Sequence, residues 1–162
     1  MLHKYLPFIF FIASTLVPVP SFSHTLVQPT EIVASTSYEG HYTGLMDVEM
    51  GKGKKHDGRP ATFVLKKGSL FCDFPKIGKM PGKITIDLPI EVNSDGTIHA
   101  KPEAEAGFLK MPLGMKFTLK LETISEAKVM NQELHFVMTV YGQFMGSKRP
   151  TTISFSGKMG KN

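Results

Sequence analysis

Residue types that often carry chemistry are present in this chain, but their spacing favours neither catalysis nor metal binding. The histidines beyond residue 3 are scattered, and no two share a strand face at metal-ligand spacing: His24, His41, His56, His99 and His135. The single cysteine, Cys72, can form no internal disulfide. The glycine–lysine run at 51–55 lacks the Ser or Thr and the following helix of a phosphate-binding loop. We therefore expect a non-enzymatic protein without cofactor or metal.

Methionine, phenylalanine and lysine occur together in the segments predicted as loops. Residues 79–82 (KMPG) and 110–114 (KMPLG) are near copies of each other. Methionine is flexible and polarizable, which suits contact with varied apolar partners. Three interpretations stay open: apolar plugs with solvated lysines, access for an amphiphile with an anionic head, or contact with another protein. The predicted rim consists of Lys79, Met80, Phe108, Lys110, Met111, Phe144, Met145 and Arg149.

The strands of the chain are predicted from period-two alternation. Apolar side chains recur at every second position in eight segments, which is typical of strands with one buried face. The predicted strands are 38–50, 60–66, 69–74, 83–93, 97–101, 113–123, 132–142 and 149–159. The longer connections between them are predicted at 51–59 and 102–112. Eight sequential antiparallel strands indicate an all-β, up-and-down barrel, which leaves no exposed sheet edge.

The inward positions of such a barrel are predicted to be large and apolar. They form a lumen that either is filled by side chains or holds one small ligand, and the sequence leaves both alternatives open. The predicted lumen residues are Phe63, Leu65, Ile86, Leu88, Phe117, Leu119, Phe136, Met138 and Phe155. Cys72 shares a strand face with Leu70 and Phe74, which predicts a small buried side chain rather than a reactive thiol.

The order of the loops predicts an electrically polar barrel. Alternate loops of an up-and-down barrel lie at the same end, and one end thereby collects most of the loop lysines and arginines. The formal net charge of +5 is mild, so it favours anionic ligands or surfaces without requiring nucleic acid.

The N-terminal segment has the organisation of a secretory signal peptide. A short basic start is followed by an uncharged apolar run at 6–16, two prolines and the small residues of 21–23. We predict a signal peptide at 1–23, a linker or short helix at 24–37 and a barrel domain at 38–160. No cysteine is near the predicted cleavage site, which argues against a lipid anchor, and the apolar run is too short to span a membrane. We expect export to the periplasm or beyond.

Several short stretches resemble a known family. They are 42–48 (YTGLMDV), the Met-Pro loops before two predicted strands, and the ending 154–158 (SFSGK). Together they resemble the calycin-like β-barrel domain of secreted gut-bacterial proteins, over about residues 38–159. The resemblance implies a lipocalin-like or fatty-acid-binding-protein-like barrel and supplies no catalytic residue.

The sequence therefore suggests two functions of different classes. One is an exported barrel that binds a small hydrophobic or anionic amphipathic ligand, such as a lipid or fatty acid. The other is a protein-interaction or inhibitor module that uses the basic Met/Phe-rich rim. In either case we expect a monomer with no transmembrane segment and no nucleic acid partner. An outer-membrane barrel is a weaker alternative, because the chain has no Trp and few Tyr to form aromatic girdles.

Overall fold

The computed structural model describes residues 37–51, 53–74, 77–78, 82–144 and 146–160, with the side chain of Phe144 excepted. The predicted signal peptide and residues 24–36 of the predicted linker lie outside the described residues. Within the described part the structure is almost entirely β. Its strands are β1 (Gly40–Met50), β2 (Lys54–Lys66), β3 (Ser69–Asp73), β4 (Lys83–Pro89), β5 (Glu91–Val92), β6 (Ile98–His99), β7 (Glu105–Lys110), β8 (Lys116–Met130), β9 (Glu133–Phe144) and β10 (Ser147–Met159).

Eight of these strands form a closed antiparallel barrel. Their order around the barrel is β1-β10-β9-β8-β7-β4-β3-β2. Barrel strands that follow one another along the chain therefore lie side by side, and β1 closes the barrel by pairing with β10. The closing pair is antiparallel and continuous from Tyr42 opposite Met159 to Met50 opposite Thr151. The predicted all-β, eight-stranded antiparallel barrel is therefore confirmed. Among the described residues no helix is long and apolar enough to cross a membrane.

Strand β2 begins earlier than the sequence indicated. The loop prediction for 51–59 is wrong from Lys54 onward, since Met50 pairs with Lys54 and Val48 pairs with His56. This half of β2 contains Gly58 and Pro60 and is mostly exposed, so no apolar alternation marked it. Its conformation comes from pairing with β1 rather than from its own propensity.

The fifth barrel strand also differs from the prediction. The predicted strand at 97–101 contributes only β6, which pairs with β5 in a separate two-stranded hairpin. Its place in the barrel is taken by β7, which lies inside the segment predicted as a loop and pairs with both β4 and β8. Gly107 and Ala106 are buried at the inner positions of β7, and such small residues give no apolar alternation.

The β5–β6 hairpin covers one end of the barrel, which we call the closed end. The turn between its strands includes Gly96 at φ +83°, a conformation that glycine adopts without steric cost. The Val129 N–H donates to the Gly96 carbonyl at 2.8 Å, and the Tyr38 hydroxyl donates to the Ser94 carbonyl at 2.7 Å. Ile98 is buried within the main core. The hairpin is therefore fixed to the barrel by hydrogen bonds and apolar packing.

Four phenylalanines pack together inside the lumen. Phe63 lies at their centre, with ring centroids 4.6 Å from Phe155, 4.9 Å from Phe136 and 6.1 Å from Phe74. The edge-on and tilted arrangements are those that aromatic quadrupoles favour. All four side chains are essentially fully buried, so this part of the barrel is a solid core. An apolar cavity lies at the opposite end of the barrel.

Candidate functional site

A cavity of about 480 Å³ opens at the end of the barrel opposite the hairpin. We call this end the mouth; the β1–β2, β7–β8 and β9–β10 connections lie there. The cavity walls come from every barrel strand except β3, and they are mainly apolar. The lining consists of Met50, Gly51, Lys54, Ile84, Leu109, Met111, Phe117, Leu119, Val140, Gly142, Gln143, Arg149, Pro150 and Thr151. A volume of this size lies within the range of small-molecule sites, about 300–1,000 Å³.

A β-bulge in β2 explains why Lys54 reaches this cavity. The pairing with β1 shifts between Met46 and Val48, and the Gly58 N–H donates to Asp47 Oδ1 at 2.7 Å. Ala61 and Phe63 are inward on one side of the bulge. On the other side even-numbered residues occupy the inward register, so Lys54 lies opposite the cavity-lining Met50. The extra residue of a bulge changes side-chain parity in this way.

Arg149 reaches the same cavity from β10. It has the same parity as the buried Ile153 and Phe155, and it pairs directly with Gly142 of β9. Gly142 in turn pairs with Leu119. Because Gly142 carries no side chain, space remains at the inner wall beside Arg149. A Cβ added at Gly142 would lie 3.3 Å from Leu119 Cδ2.

The cavity combines apolar walls with uncompensated positive charge. Within the described part of the chain, no carboxylate lines it, and neither Lys54 nor Arg149 forms an ion pair. Lys54 and Arg149 are both exposed at the opening, so their attraction for an anion is screened by salt as it is on an open surface. The arrangement can therefore hold an apolar chain against the walls and an anionic group at the opening.

The predicted lumen residues divide between the core and the cavity. Phe117 and Leu119 line the cavity, Phe117 being half-buried. The others are buried below it in the packed core: Phe63, Leu65, Ile86, Leu88, Phe136, Met138 and Phe155. The lumen is thus partly packed and partly open, a combination of the two alternatives that the sequence left unresolved.

The predicted rim residues are more widely separated than the sequence suggested. Met111 and Arg149 line the cavity. Phe108 lies within β7, opposite Thr85 and Thr118, and Lys110 lies opposite Lys83 and Lys116. Both therefore have the outward parity of the wall, since their neighbour Leu109 lines the cavity. The remaining rim predictions lie outside the described residues or their described side chains: Lys79, Met80, Phe144 and Met145.

Two site features could not be predicted from the sequence. Lys54 was predicted as part of a loop, and only the bulge places it inward. Gly142 sits where the alternation of β9 expects a large residue, and that interruption is the one signal of a gap in the inner wall. Its meaning depends on Arg149, which becomes its neighbour only through the β9–β10 pairing.

A wider groove of about 950 Å³ lies on the outer wall beside β2, β3 and β4. It includes Thr62, Phe71 and Lys83 and is largely open to solvent. A small ligand site normally encloses most of its ligand's surface. The mouth cavity is therefore the better candidate site, although it is smaller.

The described titratable groups give no indication of acid–base chemistry. Burial, followed by the nearby Asp73, raises the pKa of the Cys72 thiol to about 12, so the thiol is protonated at neutral pH. Burial also raises the pKa of Tyr42 to about 12, and its hydroxyl donates to the Tyr38 carbonyl at 2.7 Å. In the described part of the chain, no three His, Cys, Asp or Glu residues converge on a metal position.

Comparison with known proteins gives little further information. No protein-family model and no curated protein sequence matches the chain. One similar solved structure is that of the ywiB protein from Bacillus subtilis, with 10% identity and a TM-score of 0.40 over 79% of this chain and 97% of that chain. A similarity of this size supports no conclusion about activity. The barrel itself is shown by its strand pairing.

Proposed function

We propose that the barrel binds a small amphipathic molecule, with its apolar part in the mouth cavity and its anionic group at Lys54 and Arg149. The observation that carries the proposal is the apolar cavity of about 480 Å³ bordered by these two cations. A hydrocarbon chain buried there gains roughly 0.8 kcal/mol per CH₂ group. A fatty acid or a similar lipid has the required combination of groups. The proposed role is binding without catalysis.

A displacement assay tests the apolar part of this proposal. A fluorescent apolar probe should become bright in the folded protein and be displaced by a fatty acid. Gly142→Leu should abolish probe uptake, since the new side chain would extend from the inner wall toward Leu119 and occupy the cavity. Thr118→Leu on the outer face of β8 serves as the matched control and should leave uptake intact. Equal uptake by both variants would show that the probe binds elsewhere.

Pairs of acids and alcohols with equal chain length test the anionic part. Replacing Lys54 or Arg149 by Gln should weaken binding of the acid by up to roughly fivefold, as expected for the loss of at most about 1 kcal/mol at an exposed ion pair. The alcohol should be unaffected. Lys110→Gln on the outer wall is the matched control. A loss that is equal for acid and alcohol would contradict a role for these cations in head-group recognition.

The second candidate is a protein-interaction or inhibitor module at the mouth. The observation in its favour is the nearly fully exposed side chain of Leu113 in the β7–β8 turn. The probe assay separates the two candidates, because a contact surface for a protein does not require an accessible lumen.

We further propose a calycin-type barrel and export through the N-terminal signal peptide. The up-and-down order of the strands and the apolar run at 6–16 support these two points respectively. Recovery of the exported protein with an N-terminus near His24, determined by intact-mass measurement, is the expected result. An exported protein that retains Met1 would contradict cleavage.

A further inference from the structure

The β7–β8 turn projects an apolar side chain from the mouth of the barrel. Pro112–Gly114 forms a tight turn whose backbone at Leu113 is not helical, and the Met111 N–H closes it by donating to the Met115 carbonyl at 2.8 Å. Leu113 at the apex is 98% exposed, and Met115 is 53% exposed. We call Leu113 and Met115 the apolar tip. Removing these two apolar side chains from water would be favourable, and their exposure in the free protein forgoes that gain.

The apex is also conformationally strained. Leu113 adopts φ +66° and ψ +15°, the left-handed region that residues other than Gly, Asn and Asp seldom adopt. Gly114 follows it at φ +80°. This backbone directs a leucine to the apex, where a turn selected only for solubility would have a polar residue. Backbone strain is common at functional sites, although Glu103 and Glu126 also have positive φ in this chain.

Three lysines lie in a row directly behind the tip. Lys110 pairs with Lys83 on one side and with Lys116 on the other, so all three occupy the same outer face in cross-strand register. Of these three lysines, only Lys83 has an acidic partner among the described residues, and its Nζ lies 3.1 Å from Asp73. Lys116 instead lies over the Phe108 ring, 4.8 Å from its centroid. Like charges directly opposite each other in a sheet are destabilising, so this row gains from an external anion.

We infer that the mouth docks on an anionic lipid bilayer, with the apolar tip in the interfacial region and the lysine row at the phosphate groups. Apolar side chains ahead of lysines match the change from acyl chains to phosphates across a bilayer surface. One turn is too small for a stable protein contact, which needs about 800 Å² from each partner, whereas a bilayer requires no complementary shape. Docking there would hold the mouth cavity at the lipid, although the inference itself does not rest on the cavity being used.

Vesicle flotation tests this inference on the processed protein recovered after export, so that the apolar run at 6–16 is absent. The protein should bind vesicles of phosphatidylcholine mixed with phosphatidylglycerol, should not bind phosphatidylcholine alone, and should dissociate as salt increases. Each lysine near an anionic surface is worth about 1 kcal/mol, or roughly fivefold. The double variant Lys110→Gln/Lys116→Gln should therefore partition about 25-fold more weakly. Lys66→Gln/Lys67→Gln at the closed end is the matched control and should leave partitioning unchanged.

Two variants test the apolar tip, and a third serves as their control. Leu113→Ser and Met115→Ser should each reduce partitioning several-fold. Met130→Ser should not, since Met130 is 60% exposed, close to the value for Met115, but lies at the end of β8 by the closed end. Absence of vesicle binding, equal binding to both lipid mixtures, or equal losses in tip and control variants would overturn the inference. Probe uptake should be measured in the same variants, because it reports ligand binding in the mouth cavity separately from docking on the bilayer.

Discussion

Asp73 makes the best-defined polar contacts in the wall of the barrel. Its carboxylate accepts hydrogen bonds from the Thr85 hydroxyl at 2.7 Å and from Lys83 Nζ at 3.1 Å. The first of these contacts and then the second lower the pKa of Asp73 below its usual value. A carboxyl group with a lowered folded-state pKa stabilises the fold above its unfolded pKa, near 4, and loses that contribution as the pH falls through the folded value.

Asp73→Asn should therefore flatten part of the acid dependence of stability. Urea unfolding of the wild type should show a decreasing free energy of unfolding as the pH falls below about 4, and the variant should show a shallower decrease. At neutral pH the variant should be less stable by about 1 kcal/mol. Asp87→Asn, two residues from Thr85 on the exposed face of β4, is the control. Parallel pH profiles of stability for the wild type and Asp73→Asn would contradict a stabilising role for the ionised Asp73 carboxylate.

Cys72 gives a second prediction at the scale of a single residue. It is buried on the face predicted from its parity with Leu70 and Phe74, and its raised pKa leaves little thiolate at neutral pH. An aromatic disulfide reagent should react with it only after denaturant is added. Rapid reaction of the native protein at pH 8 would contradict this environment.

At the scale of strands, the sequence predicted those whose inner positions are large and apolar. Strands β9 and β10 lie close to their predicted positions because Phe136 and Phe155 alternate with polar residues. The prediction for β8 is wrong at its C-terminal end, since the strand continues to Met130 and was predicted to end at residue 123. Strand β7 escaped prediction because its inner wall is made of Ala106 and Gly107. Pairing on both sides, rather than its own residues, defines that strand.

Gly107 should be the most sensitive position in β7. It has φ +133°, and an added Cβ would overlap the Thr85 carbonyl oxygen of the neighbouring strand. Gly107→Ala should therefore lower the free energy of unfolding by more than the roughly 1–2 kcal/mol of backbone strain alone. Gly68→Ala, at φ +80° with open space around it, should show the strain term only. Equal losses in chemical denaturation would contradict the close approach of β7 to β4.

At the scale of the whole molecule, the lumen has a solid half and an open half. The lumen residues predicted from inward parity do lie inside the barrel, but parity missed Lys54 and did not indicate which positions leave space. That division depends on the bulge that turns Lys54 inward, on Gly142 beside Arg149, and on the ring contacts centred on Phe63. The first two depend on the register between neighbouring strands and the third on packing across the barrel, and the alternation within a single strand specifies neither.

This division predicts that stability and ligand response belong to different halves of the same strands. Phe63→Ala should cost about 3–5 kcal/mol, as buried aromatic truncations do, and should leave Lys54 and Arg149 in place. In hydrogen exchange, amides of β9 around Phe136 should open only with global unfolding, whereas those around Gly142 should exchange through local opening. An added fatty acid should slow exchange around Gly142 and in the facing part of β10 near Thr151, with little change around Phe136 beyond its effect on global stability. Uniform protection along β9 would mean that the ligand stabilises the barrel without occupying the mouth cavity.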